Sequence, residues 1–65
     1  MSRELTRDEI ETAGKLIDKI RREQGDTAGK EAARELKARM IMSGNTDYDS
    51  IYYFNQSTGC NWEYR

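Results

Sequence analysis

Ile51-Tyr52-Tyr53-Phe54-Asn55, then Gln56-Ser57-Thr58-Gly59, then Cys60-Asn61-Trp62-Glu63-Tyr64-Arg65: how this stretch is read decides the fold. Five of the six aromatic residues lie in it, and the sixth, Tyr48, lies just before it. The first run is rich in aromatic and β-branched residues, which suit a pleated surface, and the second alternates apolar with polar residues. Between them stand four residues ending in Gly59, which takes positive φ without steric cost, and Asn55 can bond the turn backbone. The reading is a β-hairpin over residues 51–55 and 60–65. Pairing Asn55 with Cys60 places Tyr53 against Trp62 and Ile51 against Tyr64, with Cys60 on the same inner face. Tyr52, Phe54, Asn61 and Glu63 then point outward. An isolated hairpin is marginal in water, so the Trp62 face is expected to cover the helices that precede it.

Two such helices are legible. Thr6 followed by Glu9 is a capping box, and Leu5 with Ile10 forms the hydrophobic staple that accompanies one. Ile10, Ala13, Ile17 and Ile20 recur at spacings of three and four, flanked by Leu16, which predicts a helix from about Arg7 to Gln24. Gly25 caps its C-terminus. Asp26 or Thr27 is expected to cap a second helix, about 27–42, with Gly44 as its stop and Ala32, Ala33, Leu36 and Met40 as its buried stripe. The short connection folds the pair antiparallel, with Gly14 allowing close approach near Leu36 and Met40. Residues 44–50 are a polar linker. The expected architecture is therefore a single α+β domain over 1–65, an antiparallel helix pair followed by a two-stranded β-hairpin in the order α-α-β-β.

Composition narrows the chemistry. Leu, Ile and Phe number nine and Val is absent, yet Lys and Arg number 11 against 12 acids, for a net charge of −1. That mixed charge fits a small folded domain with a solvated surface rather than an acidic or basic tail. At 65 residues a single core barely offsets chain entropy, and a lone cysteine cannot form an internal disulfide. Self-association or a larger partner is the expected additional source of stability. The first twenty residues are charged every few positions and no long apolar run occurs, so no membrane span and a cytoplasmic location are expected. The Asn55-Gln56-Ser57 sequon carries no meaning without export.

No site for catalysis, metal or cofactor is predicted. With no His and no evident partner for Cys60, both an imidazole base and an activated thiolate are missing. Gly25-Asp26-Thr27-Ala28-Gly29-Lys30-Glu31 departs from a phosphate-binding loop in glycine spacing, in Glu31 where Ser or Thr belongs, and in the helix that precedes it. Asn45, Asp47 and Asp49 share the spacing of a calcium loop, but Ser50 and Gln56 stand where Gly and Glu are needed. Glu4, Asp8 and Glu11 complement the dipole of the first helix. Residues 15–39 hold eight basic side chains against five acids. Glu31 and Glu35 interrupt the basic stripe, and a helix-turn-helix pair would need a third helix to rest on. A mimic of nucleic acid would need far more negative charge.

The functional expectation is thus a non-enzymatic protein-interaction module. In size, absence of catalytic residues and concentrated aromatic surface, the chain is similar as a class to small accessory proteins that phages and mobile elements encode. Such proteins block a host machine, a defence system among them, and no residue is carried over from the likeness. The expected contact set is Tyr48, Tyr52 and Phe54, with Arg34, Lys37 and Arg39 steering an acidic partner, a larger protein or complex. The alternatives are a small nucleic-acid-associated regulator using the basic helix faces, and a structural homodimer joined through hairpin edges.

Overall fold

The computed structural model describes residues 4–63. Three helices make up its regular structure: α1 (Arg7–Gln24), α2 (Asp26–Met42) and α3 (Tyr48–Thr58). The capping box of α1 is complete, since the Glu9 amide donates to Thr6 Oγ1 at 3.1 Å and the Thr6 amide donates to Glu9 Oε1 at 2.9 Å. Gly25, at φ 103°, is at once the C-cap of α1 and the N-cap of α2. Asp26 is therefore the first helical residue of α2 rather than its cap, and its carboxylate meets the positive end of the helix.

The predicted hairpin does not form. Residues 48–58 are helical, and among the described residues there is no strand, so the fold is all-helical rather than α+β. Both ends of α3 explain the difference. Asp47 is its N-cap: the Ser50 amide donates to Asp47 Oδ2 at 3.4 Å and the Ser50 hydroxyl to Asp47 Oδ1 at 2.7 Å. Gly59 closes the other end in the left-handed region at φ 73°, its amide donating to the Asn55 carbonyl at 3.1 Å. The positive φ demanded of Gly59 is real, but it terminates a helix instead of turning a hairpin. Between these caps Ser50, Ile51, Phe54 and Thr58 are buried at helical spacing. Burial on α1 outweighs the strand propensity of the aromatic residues, which is a weak and context-dependent preference. Tyr64 and Arg65, assigned to the second strand, lie outside the described residues.

α1 is the central element, packed on α2 and on α3, while those two meet each other only marginally. The core joins Ile10 and Ile17 of α1, Ala33, Leu36 and Met40 of α2, and Ile51 and Phe54 of α3. Small residues set how closely the helices approach. A Cβ on Gly14 would overlap the Cβ of Ser57 and come within 3.0 Å of its carbonyl carbon, so the close contact expected there with α2 is a contact with α3. The α1–α2 approach is set instead by Gly29, where a Cβ would lie 2.6 Å from Arg21 Cβ. Arg7 strengthens the α1–α3 side: it pairs with Glu11 at 3.1 Å and stands 4.5 Å above the Tyr53 ring.

Two asparagines tie down the segments outside the helices. Asn45, 3% exposed, accepts the Leu5 amide at 2.7 Å and donates to the Leu5 carbonyl at 3.0 Å and to Ser50 Oγ at 3.3 Å. Asn55 does the same for Trp62, accepting its amide at 2.8 Å and donating to its carbonyl at 2.9 Å. Each carboxamide pairs with both backbone groups of one residue, as a neighbouring strand would, and so satisfies them away from regular structure.

The Asp47 cap makes stability depend on acid. The Ser50 hydrogen bond is the main cause holding the Asp47 carboxyl below its ordinary value near 3.8. A depressed folded-state pKa stabilises fully above the unfolded value, and that contribution fades as pH falls through the folded one. Helicity followed by circular dichroism between about pH 5 and 2 is expected to show this loss in the wild type and to lack it in Asp47→Ala. Parallel acid limbs in the two proteins would contradict the assignment.

Candidate protein-binding surface

Helical spacing brings Lys30, Arg34, Lys37 and Ile41 onto one face of α2 at i, i+4, i+7 and i+11. On α3, Tyr48 and Tyr52 are one turn apart, 63% and 48% exposed, with rings stacked 6.5 Å apart and 14° from parallel. Tyr52 also meets the Tyr53 ring edge-on at 5.6 Å. Because α2 and α3 hardly touch, a groove lies between them, floored by Ile51.

The chain after Gly59 runs into this groove. Held by Asn55, Trp62 sets its ring edge-on to Phe54, with centroids 5.4 Å apart and planes at 87°, while Lys37 Nζ stands 5.1 Å over its face. Such cation–π placement holds the lysine charge beside an apolar surface. Trp62 divides the groove into two hollows of about 590 and 380 Å³ that share Ile51, Asn61 and Glu63. Lys37, Ile41 and Thr46 bound the first; Tyr48, Tyr52 and Asn55 bound the second. Ile41 and Met42, 51% and 77% exposed, extend the apolar surface at the end of α2.

The expected contact residues separate into two groups. Tyr48 and Tyr52 of α3 and the half-buried Lys37 of α2 line this groove, and the exposed Arg34 lies one turn from Lys37 on α2. Phe54 does not belong: at 2% exposed it is a core residue, because helical geometry turns it toward α1 where a strand would have turned it outward. Arg39 is exposed but borders the α1–α2 seam with Leu16 and Leu36, on a different face from Lys37. Trp62 and Ile41 were not among the expected contacts. The spacing of Ile41 from Lys37 was readable, whereas the position of Trp62 follows from a tertiary clasp.

Other arrangements suggested by the sequence do not assemble. Asn45, Asp47 and Asp49 cannot act together as calcium ligands, since Asn45 is committed to Leu5 and Asp47 to Ser50. Among the described residues, no group of three or more His, Cys, Asp or Glu side chains is placed to hold a metal ion. Residues 26–30 of the phosphate-loop-like segment are the first turn of α2. A third helix does exist for a nucleic-acid-binding arrangement, contrary to expectation, but α3 carries Asp49 and no Lys or Arg. Three of the basic residues of α1 are also engaged, Arg7 with Glu11 at 3.1 Å, Arg21 with Asp18 at 2.7 Å and Arg22 with Asp18 at 3.0 Å. Among the described residues, no helix is long and apolar enough to cross a membrane. No family model, no curated protein and no solved structure matches the chain.

Proposed function

We propose that this chain is a non-enzymatic, cytoplasmic protein-interaction module that docks on a larger protein or complex through the α2–α3 groove and acts by occluding the surface it covers. One observation carries the reading: the stacked, exposed pair Tyr48 and Tyr52 stands beside the half-buried Trp62 and a basic row on α2. Tyrosine, tryptophan and arginine are the residue types that dominate binding energy at protein interfaces. The row of Lys30, Arg34 and Lys37 favours a partner with acidic side chains around an apolar anchor. A nucleic acid laid across the same groove would meet Glu63, which lines both hollows. The class likeness gives this module its biological form, an accessory protein of a phage or mobile element that blocks a host machine. A homodimer joined through hairpin edges has no strand to use among the described residues.

The test is affinity purification with nuclease present, comparing the wild type with Tyr48→Ser/Tyr52→Ser. Interface aromatics of this kind are worth about 2 kcal/mol each, so the double variant is expected to lose its partner by roughly a thousandfold in affinity. Charge reversal at Arg34 and Lys37 is expected to slow association and to remove its salt dependence. Retention of the same partner by the tyrosine variant, or its loss on nuclease treatment alone, would refute the reading.

A further inference from the structure

The α2–α3 groove already has an occupant: Asn61, Trp62 and Glu63 of the chain itself lie in it and line both hollows. The way they are held shows what the groove accepts. The Trp62 ring meets Phe54 edge-on with centroids 5.4 Å apart, and Lys37 Nζ stands 5.1 Å over its face. Asn55 clasps the Trp62 backbone, its carboxamide accepting the amide and donating to the carbonyl. Glu63 shares the first hollow with Lys37. These groups form a receptor for one residue bearing a large ring, followed by an acid. A carboxamide that binds only backbone groups takes any residue presented this way, so the receptor does not require the segment to be the chain's own.

The resident segment is held lightly. Among the described residues no backbone-to-backbone hydrogen bond reaches residues 60–63. The Cys60 amide is fixed by Thr58 Oγ1 at 3.1 Å, but beyond it Asn61 and Glu63 are exposed and Trp62 is half-buried. Ile51 and Phe54, which lie beneath the segment, are buried by the packing of α3 on α1. The receptor therefore persists when the segment lifts, and a strap with so few buried contacts opens at lower free energy than the core under it. Lifting Trp62 merges the two hollows, because its ring is the wall between them.

We infer that the α2–α3 groove receives an extended partner segment carrying a large aromatic side chain followed by a carboxylate, and that residues 61–63 are its resident competitor. The inference rests on the groove being the docking surface and names what it recognises there. A tethered competitor acts at an effective concentration on the order of millimolar, so a partner displaces it by adding contacts outside the strap. Tyr48 and Tyr52, exposed beside the second hollow, supply them.

The test is a titration of the full chain with a capped Asn-Trp-Glu peptide, read from the NMR resonances of the Phe54 amide and the Asn55 carboxamide. Trp62→Ala, which removes the resident ring, is expected to bind the peptide roughly tenfold or more tightly than the wild type does. A capped Asn-Ala-Glu peptide is expected not to bind, and adding Lys37→Glu to Trp62→Ala is expected to weaken the tryptophan peptide by roughly tenfold. A helical Trp62→Ala protein that binds the tryptophan peptide no better than the wild type does, or no better than it binds Asn-Ala-Glu, would overturn the inference. If Trp62→Ala loses helicity, hydrogen exchange in the wild type decides. Its Trp62 amide is expected to exchange roughly tenfold or more faster than the Phe54 amide, and equal rates would refute a strap that lifts by itself. Tyr48→Ser/Tyr52→Ser is expected to leave the short peptide's affinity unchanged, so loss of the partner and loss of the peptide are separate results.

Discussion

Phe54→Ala is expected to lower the unfolding free energy by about 3–5 kcal/mol, the range for removing a fully enclosed phenyl ring. A chain of this length has roughly 3–10 kcal/mol in total, so the variant should lose about a third of its stability or more. The prediction rests on position. Phe54 is 2% exposed, sits in one cluster with Ile10, Ile17, Leu36 and Met40, and supplies the ring on which Trp62 rests. Its removal therefore detaches α3 from α1 and strips Trp62 of its aromatic neighbour in one step. Urea denaturation followed by circular dichroism and by the fluorescence of Trp62 measures both consequences. Phe54→Leu should be far milder, about 1.5 kcal/mol or less, because it keeps most of the volume. A Phe54→Ala protein as stable as the wild type would mean that the ring is not enclosed.

Asn45→Ala should cost about 2–4 kcal/mol, since it leaves the part-buried amide and carbonyl of Leu5 without their partner at about 1–2 kcal/mol each, below the full penalty of an enclosed group. The lower end applies if the segment before α1 swings into water and regains hydrogen bonds there. In either case the Leu5 amide should exchange with solvent much faster, and the melting temperature should fall by roughly 8 °C or more. Asn45→Asp should be no better, because the carboxylate keeps the acceptor for the Leu5 amide, loses the donor to its carbonyl, and places a charge where the side chain is 3% exposed. Unchanged Leu5 exchange in Asn45→Ala would remove the clasp. Asn55 makes the matching pair of bonds to Trp62 from a half-buried position, so its truncation should have a smaller effect.

The caps of α3 were all present in the sequence. Asp47 three residues before Ser50 is a helix start, and Gly59 after Thr58 is a helix stop, yet both types of residue also serve turns. The choice between them fell to the run Ile51 to Phe54, whose aromatic and β-branched composition favours a strand. Ile51, Phe54 and Thr58, at spacings of three and four, carried the helical alternative. Neither period can be preferred until the surface they must cover is known, and α1 provides a continuous apolar stripe broken by Gly14 at the point where Ser57 approaches. The same ambiguity divided the candidate surface. Tyr48 and Tyr52 are exposed under either reading, whereas Phe54 changes from outward to enclosed as the period changes from two to 3.6.

By itself the sequence determined α1, through its capping box, staple and regular isoleucines, and most of α2, through its glycine boundaries and its Ala33-Leu36-Met40 stripe. It also excluded an internal disulfide, because it contains one cysteine. These are local properties: a cap or a periodic stripe is complete within a few turns of chain. Only the tertiary structure decided that residues 48–58 are helical, that Asn45 and Asn55 hold distant backbone, and that Trp62 lies between Phe54 and Lys37. Each of those depends on a contact whose partner lies on another element, and the free energy that selects it, burial against α1, has no counterpart in the isolated segment.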